Sequence, residues 1–374
     1  MKRITTPIAA TLALAALLGS VALAQDANPP LATLGPVPDP VDNPMTLEKI
    51  ALGEKLFWDG RLSGNGSMPC SACHLPDAGW GTGGAISFGY PGTQHWRNSQ
   101  TIVNSAYYNK LFWDGSKGSL EDQAKGAAGG GVAGNGDGSM MEMRLRFVPE
   151  YVAAFKQVFG TEFPHSEQAW QAIAAYERTV VTDATKVPFD RFLAGDDAAM
   201  SNAAKRGLEL FNGKAGCISC HNGALASDQR FYNIGVPTAP EFADDPVYQI
   251  TQRWELFQKG VSEDVYRHTG TDLGLYFQTK RPDDKGKFRT PSLREVRWTE
   301  PYMHNGTLET LADVVAFYTA GGGEGQTAGL EPLDLSAEDQ ADLVAFLEAL
   351  SMDEPLLMDE PELPETATWA EFSQ

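Results

Sequence analysis

A mainly α-helical, loop-rich chain built as two domains related by duplication is what this sequence predicts, and three observations carry the prediction. All four cysteines fall in two pentapeptides of one form, Cys70-Ser71-Ala72-Cys73-His74 and Cys217-Ile218-Ser219-Cys220-His221. A similar stretch leads into each, Gly53-Glu54-Lys55-Leu56-Phe57 and Gly207-Leu208-Glu209-Leu210-Phe211. A helical pattern then closes each half. With 374 residues, 42% of them hydrophobic, the chain can form two ordinary cores, which excludes a disordered tail or a disulfide-stapled miniprotein. The formal charge of −20 has the wrong sign for a nucleic-acid binder.

Taken in order, Lys2 and Arg3 precede an apolar run over residues 8–24 that ends Ala22-Leu23-Ala24, the small-x-small pattern of a cleavable export signal. Thr11, Gly19 and Ser20 interrupt the run, which is short for a membrane anchor. The expectation is a signal peptide over 1–24 and a periplasmic protein that is not membrane-embedded. The first domain is expected over 25–195. Leu47, Ile50 and Leu56 recur at helical spacing ahead of the first motif, and a closing helix starts at Ser166 and runs through Trp170, Ile173 and Tyr176. The glycine-rich residues 126–138 read as a mobile loop. The second domain is expected over 196–352, with Leu208 and Phe211 ahead of its motif and a last helix starting at Ser336, with Asp339 placed to cap it. Residues 353–374 read as an acidic, extended tail containing Pro355, Pro361 and Pro364, with Trp369 and Phe372 available to pin it.

Cys-x-x-Cys-His suits covalent haem. Two thiols on one turn can each form a thioether with a haem vinyl group, and the next residue's imidazole reaches the iron. A thioredoxin-like pair lacks its βαβ context here and calls for no following histidine, one shared zinc would need ligands much closer in sequence, and against disulfides stand two copies of the motif that consume every cysteine of an exported chain. The reading is two haem c groups held by Cys70, Cys73, Cys217 and Cys220, with His74 and His221 as proximal iron ligands. A helix, the motif, a loop-rich stretch and a closing helix form the layout of a cytochrome c domain.

Further stretches carry a family resemblance: Arg97-Asn98 leading into Thr101-Ile102-Val103-Asn104, Phe112-Trp113-Asp114-Gly115, Pro188-Phe189-Asp190-Arg191-Phe192, the run from Phe288 to Arg294, and Pro301-Tyr302-Met303-His304-Asn305-Gly306. The chain resembles the bacterial di-haem cytochrome c peroxidase and MauG superfamily over nearly all its mature length. The resemblance implies that peroxide reacts at the N-terminal haem and that the C-terminal haem passes electrons inward. It implies that Trp113 lies between the haems and that Gln123 belongs to the distal pocket. It also implies a calcium ion between the domains, bound through Asn98 and the carbonyls of Thr299 and Pro301, hard oxygen donors of the kind calcium prefers.

Three positions depart from the peroxidase pattern. Peroxidase members place a methionine fourteen residues after the His304 position, where this chain has Tyr318, as MauG-like members do. A phenolate favours ferric and higher oxidation states where a thioether favours ferrous iron. Leu308, Leu311, Val315 and Tyr318 also share a helical face, so a core role competes with that of a ligand. The acid/base glutamate expected ten residues after Gln123 falls on Ala133, which leaves Glu142 as the nearest later glutamate. His95 sits too close to Asn98 to match the family's distal histidine, so the N-terminal haem is expected five-coordinate or water-bound. The expected function is a periplasmic peroxidase that reduces hydrogen peroxide with electrons from a small cytochrome c or cupredoxin. Alternatives are oxidation of a protein side chain and a non-catalytic di-haem electron carrier. Dimers occur in the family, and a homodimer is compatible with it.

Overall fold

The computed structural model describes residues 28–368. The expected export signal lies outside that range, as do Trp369 and Phe372 at the end of the tail.

The first unit begins with α1 (Leu47–Trp58), whose N-cap Thr46 accepts from the Lys49 amide at 3.2 Å. After the first motif come a two-residue hairpin, β1 (Phe88–Gly89) and β2 (Thr93–Gln94), and then α2 (Leu120–Gly129), α3 (Gly138–Arg146), α4 (Pro149–Phe159) and α5 (Ser166–Glu177). Helix α5 is buried through Ala169, Trp170, Ile173 and Tyr176, the spacing that marked it in the sequence. It crosses α1 so closely that a β-carbon on Gly53 would stand 1.9 Å from the carbonyl oxygen of Ala172. One turn beyond, the Phe57 ring meets Tyr176 at 5.3 Å between centroids.

The second unit holds α6 (Pro188–Leu193), α7 (Asn202–Asn212) and, after the second motif, β3 (Phe231–Tyr232). There follow α8 (Pro240–Asp244), α9 (Pro246–Gln258), α10 (Glu263–His268), α11 (Tyr276–Thr279) and β4 (Phe288–Arg289), which pairs antiparallel with β3. Helices α12 (Leu311–Thr319) and α13 (Ala337–Glu348) complete it, and Ser336 and Asp339 form the expected capping box on α13. The α7–α13 crossing repeats the first. A β-carbon on Gly207 would stand 2.0 Å from the Asp342 carbonyl oxygen, and Phe211 meets Phe346 at 5.1 Å.

Three features differ from the sequence reading. Residues 126–138 are not one mobile loop. Gly126 to Gly129 complete α2, Gly138 opens α3, and the turn between is tied down where the Gly134 and Ala133 carbonyls accept from the amides of Gly64 (2.7 Å) and Tyr90 (2.6 Å). The packing divide falls before residue 195. Val187 and Phe189 belong to the second core, and Asp190 forms a buried ion pair with Arg294 at 2.7 Å. Between the second motif and β4, helices α8 to α11 interrupt the expected loops and share a small core of Trp96, Phe242, Leu256 and Phe277.

The described part of the tail is extended, as expected. It leaves the second unit and crosses the first, where Leu356 and Met358 pack on the first core. There the Trp80 indole donates to the Leu356 carbonyl at 2.7 Å, and Arg61 donates to the Pro364 carbonyl at 2.9 Å. Among the described residues no helix is long and apolar enough to cross a membrane.

Candidate haem sites

Each motif forms one 3-10 turn. The amides of Cys73 and His74 both donate to the Cys70 carbonyl at 3.1 Å, and those of Cys220 and His221 to the Cys217 carbonyl at 3.2 and 2.9 Å. This turn presents two thiols and an imidazole from consecutive positions. None of the four cysteines is paired in a disulfide. The histidines are oriented alike. Nδ1 of His74 lies 3.1 Å from the Trp80 carbonyl, and Nδ1 of His221 lies 3.1 Å from that of Ala226. A carbonyl partner makes Nδ1 the donor and leaves Nε2 bare, the tautomer an iron ligand needs. Burial pushes the pKa of both imidazoles below the ordinary histidine value, which keeps them neutral.

Beside the second motif lies a cavity of about 460 Å³ whose wall includes Cys217, Cys220, His221, Trp113, Leu343 and Tyr318. The donor set fits haem c: two thiols and an imidazole on one turn, a largely apolar wall, and Tyr318, whose hydroxyl has no hydrogen-bond partner among the described residues. Burial, and then the neighbouring Cys217 and Cys220, push the Tyr318 phenol above its ordinary value. Trp113 reaches this cavity from the segment preceding α2. Its indole donates to the Asn98 carbonyl at 2.9 Å, its own carbonyl accepts from the Arg289 amide at 2.9 Å, and its ring stands edge-on to His304 at 6.4 Å. Asn98, Thr299 and Pro301 line the same cavity. The Asn98 side chain donates to the Gly84 carbonyl at 2.9 Å, which leaves its oxygen available to a cation.

Around the first motif, Phe57 lies 6.4 Å from the His74 ring, and the Cys73 thiol lies 3.2 Å from the Phe88 carbonyl. Gln123 on α2 is half-buried, and its Oε1 is enclosed without a hydrogen-bond partner. Cys70 packs against the first core beside Phe57 and Trp80, and two thiols and an imidazole against such an apolar wall fit a haem c. His95 stacks on Trp96 at 4.0 Å between centroids, and its Nδ1 accepts from the Arg97 amide at 3.1 Å. Burial, and then the Arg97 charge, push its pKa down to about 3.

Glu142 has another task than the acid/base role expected of it. Its Oε1 accepts from both the amide and the hydroxyl of Ser166 at 2.9 Å and so caps α5. The Ser166 backbone bond, more than any other contact, holds its pKa below the ordinary value, so the carboxylate stays ionised and is poorly suited to carry a proton. Ala133, at the family's glutamate position, contributes a carbonyl to the turn.

The sequence reading missed Glu177, because Tyr176-Glu177-Arg178 looks like the polar end of a helix. It is buried, its Oε2 has no partner, and burial pushes its pKa up to about 8, with Arg178 opposing and Glu121 reinforcing the shift. The folded carboxyl therefore keeps a proton that the unfolded chain gives up above its ordinary value, and stability falls as pH rises from about 4.3 towards that higher pKa. Glu177→Gln should raise the unfolding free energy by roughly 2 kcal/mol at about pH 9 and by little at about pH 4. Urea melts of the haem-loaded protein at both pH values check this, and an equal shift at both would refute it.

A helical, loop-rich chain that presents two Cys-x-x-Cys-His turns, each beside a crossed helix pair, defines a class of di-haem c-type protein. Comparison with known proteins makes the class specific. A family model described as di-haem cytochrome c peroxidase matches residues 47–198. The chain is 69% identical over 346 residues to a cytochrome-c peroxidase IdrP1 of Denitromonas iodatirespirans, covering 92% of each chain. It is 64% identical to the protein of that name from Pseudomonas sp. (strain SCT), covering 91% of this chain and 90% of that one. Among solved structures, a MauG-like protein associated with microbial copper homeostasis superposes with a TM-score of 0.72 at 30% identity, covering 86% of this chain and 94% of that one. The chain belongs to the di-haem cytochrome c peroxidase and MauG family, enzymes that carry two haem groups.

Proposed function

We propose that this chain reduces hydrogen peroxide at a haem held by Cys70, Cys73 and His74. Electrons come from a partner protein through a second haem held by Cys217, Cys220, His221 and Tyr318. When bound, the haems supply iron that changes oxidation state and so can take up the two oxidising equivalents of peroxide. The observation that carries the reading is Trp113. It extends from the first unit into the wall of the second unit's cavity, and hydrogen bonds at both its indole and its backbone fix its orientation. An indole in that position would shorten the gap an electron must cross between the two haems.

Tyr318 supplies a phenolic oxygen on the cavity side opposite no competing hydrogen bond, which supports its role as axial ligand. Gln123 is available to hydrogen-bond a ligand on the first iron. Calcium bound by Asn98 and the carbonyls of Thr299 and Pro301 would hold the two units in register. The matching crossings at Gly53 and Gly207 support a duplicated cytochrome c-like unit. The charge of −20 suits a basic electron donor, a small cytochrome c or a cupredoxin, and export to the periplasm would bring the two together. A homodimer remains part of the reading by family resemblance only. Tyr318 in place of methionine also favours a second reading, in which the electrons come from a protein side chain.

One experiment tests both the reaction and the ligand. Peroxide is mixed with the diferric, haem-loaded protein while the Soret and near-infrared bands are followed. The bands are expected to shift; silence would leave a non-catalytic electron carrier. In Tyr318→Phe, the resting EPR spectrum of the second haem should change spin state, and an unchanged spectrum would remove the phenolate.

A further inference from the structure

Behind the first motif, aromatic side chains and a thioether lead to the surface along a line that the proposed reaction does not use. Phe57 lies between His74 and Tyr176, at 6.4 and 5.3 Å between centroids. Trp80, fully buried, stands 6.5 Å from Tyr176, and its carbonyl holds the His74 imidazole at 3.1 Å. The Tyr176 hydroxyl lies 3.6 Å from the sulfur of Met358. Met358 belongs to the tail, and it is half-buried, so water reaches its neighbourhood. Indole, phenol and thioether are the neutral side chains that lose electrons most readily, and here they touch in sequence from an iron ligand's partner to solvent.

We propose that Met358 is an oxidative modification site: when no external donor is present, it gives up electrons through Tyr176 and Trp80 and becomes a sulfoxide. The proposal rests on the reading that peroxide reacts at the first haem. The balance is simple. The thioether sulfur loses two electrons and bonds the oxygen of a water molecule, releasing two protons; peroxide takes two electrons and two protons and becomes two waters. The net change is one thioether and one peroxide converted to one sulfoxide and one water. Tyr176 does not serve as the end point because, at 2% exposure, it has no water to complete the oxidation. A sulfoxide is reversible by reductases, so the site would protect the buried aromatics at small cost.

The test treats the haem-loaded full chain with peroxide in heavy-oxygen water without donor, measures peroxide consumption, and maps methionine oxidation by peptide mass. Met143, 48% exposed, reports direct attack by bulk peroxide. The expected result is a Met358 sulfoxide that forms several-fold faster than that of Met143 and carries oxygen from water. It should diminish several-fold in Tyr176→Phe and when an electron donor is added. Oxygen from peroxide in that sulfoxide, or a rate no higher than at Met143, would overturn the route even if the variant failed to fold. Peroxide consumption alongside either outcome leaves the peroxidase reading standing, and no consumption at all sinks both.

Discussion

Replacing Cys70 and Cys73 together by serine is expected to leave one haem on the protein and to bring peroxide consumption down to the haem-free background. Each thiol pair sits on its own 3-10 turn, next to a histidine oriented by its own carbonyl, Trp80 in one unit and Ala226 in the other. The mass should therefore fall by one macrocycle, while the spectrum of the haem at His221 and Tyr318 persists. The reciprocal change, Cys217→Ser with Cys220→Ser, should retain a reaction with peroxide but lose turnover with a donor protein, since electrons would have no entry. The two doubles make the proposal directional. If the first keeps wild-type peroxide consumption, or the second keeps donor-supported turnover, the assignment of roles to the two units is wrong. A thermal melt of each variant separates lost chemistry from lost folding, because a unit without its haem loses a large part of its apolar contacts.

How far the sequence could be read depends on whether a residue's task is local. The Cys-x-x-Cys-His turns, the Ser336 capping box and the amphipathic faces of α1, α5 and α13 are set by neighbours within a few positions, and they were legible. The family resemblance went further, to Trp113 and Tyr318, which the structure places in one cavity wall. The glycines over 126–138 misled because glycine signals close packing as readily as mobility, and only the tertiary partners at Gly64 and Tyr90 distinguish the two. Glu142 was legible as a carboxylate but not as the cap of a helix that starts far along the chain at Ser166. Glu177 and Met358 were invisible for the same reason: each acquires its environment from segments remote in sequence.

The largest effect on folding is expected at the two helix crossings, and it tests whether the units are built on one plan. Glycine at 53 and at 207 lets two helix backbones touch. A β-carbon would stand 1.9 Å from the Ala172 carbonyl oxygen in one unit and 2.0 Å from the Asp342 carbonyl oxygen in the other. Both obstacles are backbone atoms within a helix, so no rotamer change relieves the overlap. Accommodating it means separating the helices and opening the contacts of Phe57 with Tyr176 or of Phe211 with Phe346. Gly53→Val and Gly207→Val should each destabilise their unit by at least about 3 kcal/mol. Gly118→Ala, at a position where a β-carbon meets nothing within 4 Å, should stay within about 0.5 kcal/mol of wild type. Haem attachment identifies which unit has failed. Gly53→Val should lose haem at the first motif and retain it at the second, and Gly207→Val should do the reverse. If either variant lost both haems, the units would depend on one another to fold, and the tail crossing from the second core to Trp80 would be the contact that couples them.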